Sequence, residues 1–394
     1  MNQIVLSKDE TRGTFLINSN SRIVIKSGVK ITGEYNVDAY YKDDSLFWDN
    51  CDNELGRSLF FANGKENIEI LGEDGHLING KGELWTGKEE RKHRPSLIRL
   101  VNCKNVTLKN LNLANSACWC IHLQNCDNVI VDGLVVKSSC NHNNDGIDID
   151  CCRNIVVKNC NFETGDDSVV VKATKNILSH NVFVQNCKIK SLGAGFKIGT
   201  ETVGDISDVI FSDCEIIDSE GGSIKLITTD GSNISNVLIR NVDVLNGTGP
   251  LFIANGNRMR KYYDGHTREG AGKIKNVKVQ NLSANVYARE DPYACDGRGV
   301  VLITGTNENS IDNVELVDCK FLLPGGENDC EKNYNVKELG TEYPEYYTLG
   351  STPAYGAYVR HAKNVKFANV KFALKNYDVR KSIHTEDVEN LTVE

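Results

Sequence analysis

The sequence predicts an all-β chain wound as one long parallel solenoid, and three observations predict it. A nine-residue apolar-alternating unit, opening on Asn or Asp followed by Val or Ile, recurs nine times in the 394 residues. The early units start 23 to 28 residues apart, which is about one solenoid coil. No heptad or long amphipathic pattern competes with the period-two alternation.

The units start at Asn105, Asn128, Asn154, Asn181, Asp208, Asn236, Asn276, Asn313 and Asn364. Each contains two short strands around a polar or glycine turn. The later gaps widen to 40, 37 and 51 residues, as loops inserted into regular coils would make them. Five positions into the units stand Asn110, Asn159, Asn186, Asp213, Asn241, Asn281, Asp318 and Asn369, with Gly133 the exception. An amide repeated at one turn can hydrogen-bond along the stack, where backbone groups would otherwise lack partners. Cys160, Cys187, Cys214 and Cys319 keep this register one place later, and Cys103, Cys126 and Cys152 lie two places before a unit. They read as small inward-facing core residues with free thiols. The whole chain reads as one domain: N-terminal coils over about 1–100, catalytic coils over about 101–245, and C-terminal coils with long loops over 246–394.

Composition narrows the function. A net charge of −8 argues against a nucleic-acid partner. No apolar run is long enough to span a bilayer, so no membrane partner is expected. The first residues, MNQIVLSKDE, lack a basic region followed by an apolar stretch, so the expected location is cytoplasmic. The cysteines show no zinc-finger spacing, and neither metal nor cofactor is expected. A homodimer is an option, because solenoid ends can be capped by pairing.

The chemistry concentrates in Asn143-Asn144-Asp145-Gly146 and Gly165-Asp166-Asp167-Ser168. Asp145 and Asp166 are 21 residues apart, about one coil, so the acids are expected to stack on one face. Neighbouring buried carboxylates push their proton affinities apart, leaving one as an acid and others as bases. Glycoside hydrolysis needs that division. EF-hand spacing is absent, which argues against calcium.

These motifs together with the repeat resemble the polygalacturonase family, glycoside hydrolases of family 28. Asn115-Ser116 with Trp119, Gly80-Lys81-Gly82 with Trp85, Gly193-Ala194-Gly195, and Ser223-Ile224-Lys225 follow the order of the family's further segments. The resemblance implies a right-handed parallel β-helix and an inverting hydrolase. It implies Asp166 as general acid, Asp145 and Asp167 as the residues that hold and deprotonate water, and Asn143 as a positioning residue. Inversion leaves room for a water, so acid and base are expected about 6.5–9.5 Å apart. Ala194 and Ser223 stand where the family has histidine and arginine, which points to altered specificity.

Substrate contacts are expected from Lys197 and Lys225, from Trp119 and His122, and from the inserted loops through Arg258, Arg260, Tyr262 and Arg289. One of these arginines would replace the one missing at Ser223 and grip a carboxylate. The aromatic stretch from Tyr343 to Tyr347 is expected to fold back and close one end of the cleft. The predicted substrate is therefore an oligosaccharide or small glycoside cut from its end, first of all an α-linked galacturonide derived from pectin. A rhamnogalacturonan fragment or neutral plant glycoside is the second choice, ahead of a polysaccharide lyase or a non-catalytic glycan-binding solenoid.

Overall fold

A computed structural model of the chain describes residues 1–43, 56–262, 268, 270–288 and 300–394. The alternating units form strands, and among the described residues 32 strands join into one continuous parallel sheet coiled into a right-handed parallel β-helix. A typical coil supplies three strands, such as Asp127–Asp132, Val135–Ser138 and Ile147–Asp150. Each pairs in parallel with its counterpart one coil on, in Arg153–Lys158, Asn161–Thr164 and Val169–Ala173. Right-handedness is the rule for parallel crossovers of right-twisted strands.

The repeat positions have a backbone cause. The unit-opening residues Asn105, Asn128, Asn154 and Asn181 have φ of 55° to 57°, and Asn110, Asn159, Asn186 and Asn241 have φ of 52° to 56°. Left-handed backbone excludes most side chains but admits Asn, Asp and Gly. The same amides then bond along the stack: Asn186 donates to Asn159 at 2.6 Å and Asn241 to Asp213 at 2.8 Å. Gly133, at φ 71°, adopts the same turn, and a Cβ there would meet the Asn110 amide oxygen at 2.6 Å.

Inside the coil, Val106, Leu108, Val129, Val131, Ile155 and Val157 are buried in one continuous core. Cys103, Cys126, Cys152, Cys160, Cys187, Cys214 and Cys319 are buried there as free thiols. Among the described residues no helix is long and apolar enough to cross a membrane.

One face departs from the usual alternation. Ile121–Gln124, Ile147–Asp150, Val169–Ala173, Phe196–Thr202 and Ile224–Thr228 are buried on both sides. Their outward positions form a ladder in register: Arg99, His122, Asp148, Val170, Lys197, Lys225, Phe252. A C-terminal insertion covers part of this ladder. The short helix Tyr346–Leu349 sets Tyr346 on Phe252, ring centroids 4.5 Å apart, within a second apolar cluster that includes Leu302 and Tyr358.

Candidate active site

The two acidic turns lead into consecutive strands of the buried face. In the Gly165–Ser168 turn, Thr164 Oγ1 and Ser191 Oγ both donate to the Asp166 carbonyl at 2.7 Å. Gly193 packs against this turn from the next coil, where a Cβ would come within 2.6 Å of the Asp167 nitrogen. In the Asn143–Gly146 turn the anchor is Asn144, whose amide donates to the Ser116 carbonyl at 2.8 Å. Asn143, at φ 55°, accepts from Arg94 at 2.9 Å and reaches the cavity wall.

The register corrects the expected stacking. Ile147 pairs with Val169, and the Gly146 N–H donates to the Asp167 carbonyl at 3.0 Å. Asp167 therefore stacks on Asp145, and Asp166 is offset by one residue. One oxygen from each of the three carboxylates lies within 4.8 Å of the others. The carboxyl centres behind them add at most two C–O bond lengths, so they lie no more than about 7.3 Å apart, in or below the lower part of the expected 6.5–9.5 Å. A water donating hydrogen bonds of about 2.7 Å to two carboxylate oxygens at a tetrahedral angle holds them about 4.4 Å apart. That spacing falls inside the 4.8 Å bound on the cluster.

The three acids differ in proton affinity. Burial, then the charges of Asp148 and Asp166, raises the Asp145 carboxyl well above its ordinary value. Burial, then the Asp167 charge, pushes Asp166 up to about 6. Asp167 is also buried, but the ammonium groups of Lys197 and Lys225 outweigh that and hold it below the usual range. Lys197 Nζ lies 2.6 Å from Asp167 Oδ2, and the Ala194 N–H donates to the other oxygen at 2.7 Å. Calcium and magnesium take six or more oxygen ligands; here Lys197 already sits on one of the three carboxylates.

The acids line a cavity of about 250 Å³ together with Trp119, Asn143, Lys172, Lys197, Glu201 and Lys225. Tyr343, Glu345 and Tyr347 of the C-terminal insertion form part of its wall. Lys225 Nζ lies 2.5 Å from Glu345 Oε2.

Other expected contacts fall elsewhere. His122 is fully buried behind Trp119, edge-on at 5.1 Å, and is not among the residues lining the cavity. It bonds to Arg99 and, at 3.4 Å, to Asp150; burial, then the Arg99 charge, lowers it to about 4. Its place on the ladder, one coil short of Asp148, puts it under Trp119 rather than beside the acids. Arg258 does not replace the arginine missing at Ser223. It is held by Asp230 at 2.6 Å and by the Thr200 carbonyl at 3.0 Å. Tyr262 also donates to Asp230, at 2.9 Å, and packs beside Trp119. Arg260 follows this bend, its N–H on Asp230 at 3.0 Å and its guanidinium 5.7 Å from the Tyr262 ring. Arg289, like Tyr263, lies outside the described residues. Ser223 faces inward, bonded to Ser219 Oγ at 2.9 Å.

Three charged residues of the cavity wall were not among the expected contacts: Lys172, Glu201 and Glu345. Lys172 lies 3.4 Å from the centre of the Trp119 ring and pairs with Asp148 at 2.9 Å and Glu201 at 3.2 Å. The signal was there in Ile147-Asp148-Ile149-Asp150, where charge alternates with apolar core residues, and in Lys172, which closes the apolar run Val169-Val170-Val171 on the neighbouring strand. Glu345 carried no such signal, because it lies in an insertion with no repeat to place it.

Comparison with known proteins supplies a family. The sequence model for Glycosyl hydrolases family 28 matches residues 2–324. A probable polygalacturonase of Arabidopsis thaliana is 28% identical over 58% of this chain and 51% of its own length. A family 28 exopolygalacturonase of Yersinia enterocolitica superposes with a TM-score of 0.74 at 16% identity, covering 99% of this chain and 72% of that one. A hyperthermoactive exopolygalacturonase of Thermotoga maritima gives 0.70 at 19% identity, covering 94% and 84%. The chain spans between 40% and 63% of the length of the first curated relatives it matches.

Proposed function

This chain belongs to glycosyl hydrolases family 28, and we propose that it is an inverting, exo-acting glycosidase that releases the terminal sugar of a short pectin-derived oligosaccharide. Polygalacturonase relatives support the pectic substrate class. Protonated Asp166 gives its proton to the glycosidic oxygen as the C–O bond breaks. Asp145 and Asp167 hold the water that attacks the opposite face. Asp167, kept ionised by Lys197, receives the water's proton.

The observation that carries this reading is three carboxylates of split proton affinity in a small cavity partly walled by Tyr343, Glu345 and Tyr347. A volume of about 250 Å³ lies just below the usual range for ligand sites, which suits a chain end better than a polymer threaded through. Digestion of pectic oligosaccharides of defined length tests it. Monosaccharide as the earliest product supports end-cutting; mid-length fragments from the start contradict it.

A further inference from the structure

We infer that the sugar seated against Lys225 carries no carboxylate, because this chain supplies one there itself through Glu345. The inference rests on the proposed function only in taking this cavity as the substrate site. Lys225 is buried, its side chain 2% exposed, and its ammonium is held by Glu345 at 2.5 Å.

Glu345 is held in place by its own turn. Its N–H donates to the Tyr343 carbonyl at 3.0 Å, and the Thr348 N–H donates to the Glu345 carbonyl at 3.1 Å. Thr348 Oγ1 closes the same turn on the Tyr343 carbonyl at 2.7 Å, and the neighbouring Tyr346 is anchored on Phe252. The carboxylate is therefore presented to Lys225 by a built element.

The other charges of the cavity point the same way. Lys197 is engaged by Asp167, and Lys172 by Asp148 and Glu201. Among the described residues the cavity wall carries three ammonium groups, on Lys172, Lys197 and Lys225, and no arginine. A uronate entering beside Lys225 would have to displace Glu345, because the other two ammonium groups of the wall are likewise engaged by carboxylates. An uncharged sugar instead meets a Glu–Lys pair able to accept and donate hydrogen bonds to its hydroxyls.

Calorimetric titration with galactose and galacturonate, which differ only at C6, tests this on the wild type and on Glu345→Gln. The wild type is expected to bind galactose at least as tightly as galacturonate. The substitution releases the Lys225 charge and should shift the ratio toward galacturonate, on the order of tenfold. A wild-type preference for galacturonate, failure to bind galactose, or an unchanged ratio in a folded variant overturns the inference. The wild-type ratio stands alone should the variant not fold. Galactose binding with no hydrolysis of any pectic oligosaccharide would sink the hydrolase reading and leave this one standing. Hydrolysis with a wild-type preference for galacturonate would do the reverse.

Discussion

Replacing Lys197 by Met removes the charge that keeps Asp167 ionised while retaining an unbranched side chain. The two charges are 2.6 Å apart, with side chains 7% and 9% exposed. At an effective dielectric constant near 20 their attraction is about 6 kcal/mol, partly offset by desolvation. Leaving one partner of such a pair buried alone costs about 3–5 kcal/mol. The wild-type Asp167 carboxyl is depressed below 3.8, so its stabilisation is present above that value and lost as pH falls through the folded value. In Lys197→Met, burial wins and the carboxyl rises; the penalty then exists at neutral pH and fades as pH falls and Asp167 takes a proton. Thermal melting should show a large deficit at pH 7 that shrinks toward pH 4, and the acidic limb of kcat/KM should move up. An equal deficit at both pH values with an unmoved limb would refute the reasoning.

Asp166→Asn should lower activity on the order of 10²–10⁴-fold, yet raise thermal stability at neutral pH. With its carboxyl shifted from 3.8 to about 6, Asp166 contributes stability fully present below 3.8 and lost as pH rises through about 6. The variant should therefore gain up to about 3 kcal/mol over wild type at pH 7.5 and nothing near pH 3.5, read by denaturant melts. Tyr346→Ala removes the anchor on Phe252, a truncation worth about 3–5 kcal/mol locally. Chromatography of its products should show cuts inside longer oligosaccharides that the wild type takes only from the end. His122→Ala leaves Arg99 and Asp150 without their ring partner, so melting should show lost stability with no change in KM.

The solenoid was legible because its turns need left-handed backbone, and that need leaves Asn, Asp or Gly at fixed intervals. The core was legible from alternation, as in Asn154-Ile155-Val156-Val157. The acids were legible as chemistry but not in register: spacing suggested Asp166 over Asp145, whereas turn geometry stacks Asp167 there. The loop residues were the least legible. Arg258 looked available because sequence does not show Asp230 waiting in the preceding coil. Glu345 went unnoticed because 120 residues separate it from Lys225. His122 was ambiguous by type, and only its burial among Arg99, Asp150 and Trp119 decides its surroundings.

The anomeric form of the first product tests the central claim most directly. NMR of reducing-end anomers during early turnover of an α-linked pectic oligosaccharide should show the β-anomer of the released sugar before mutarotation, with the signal lost in Asp166→Asn. An α-anomer from the start would contradict inversion by a water held between Asp145 and Asp167.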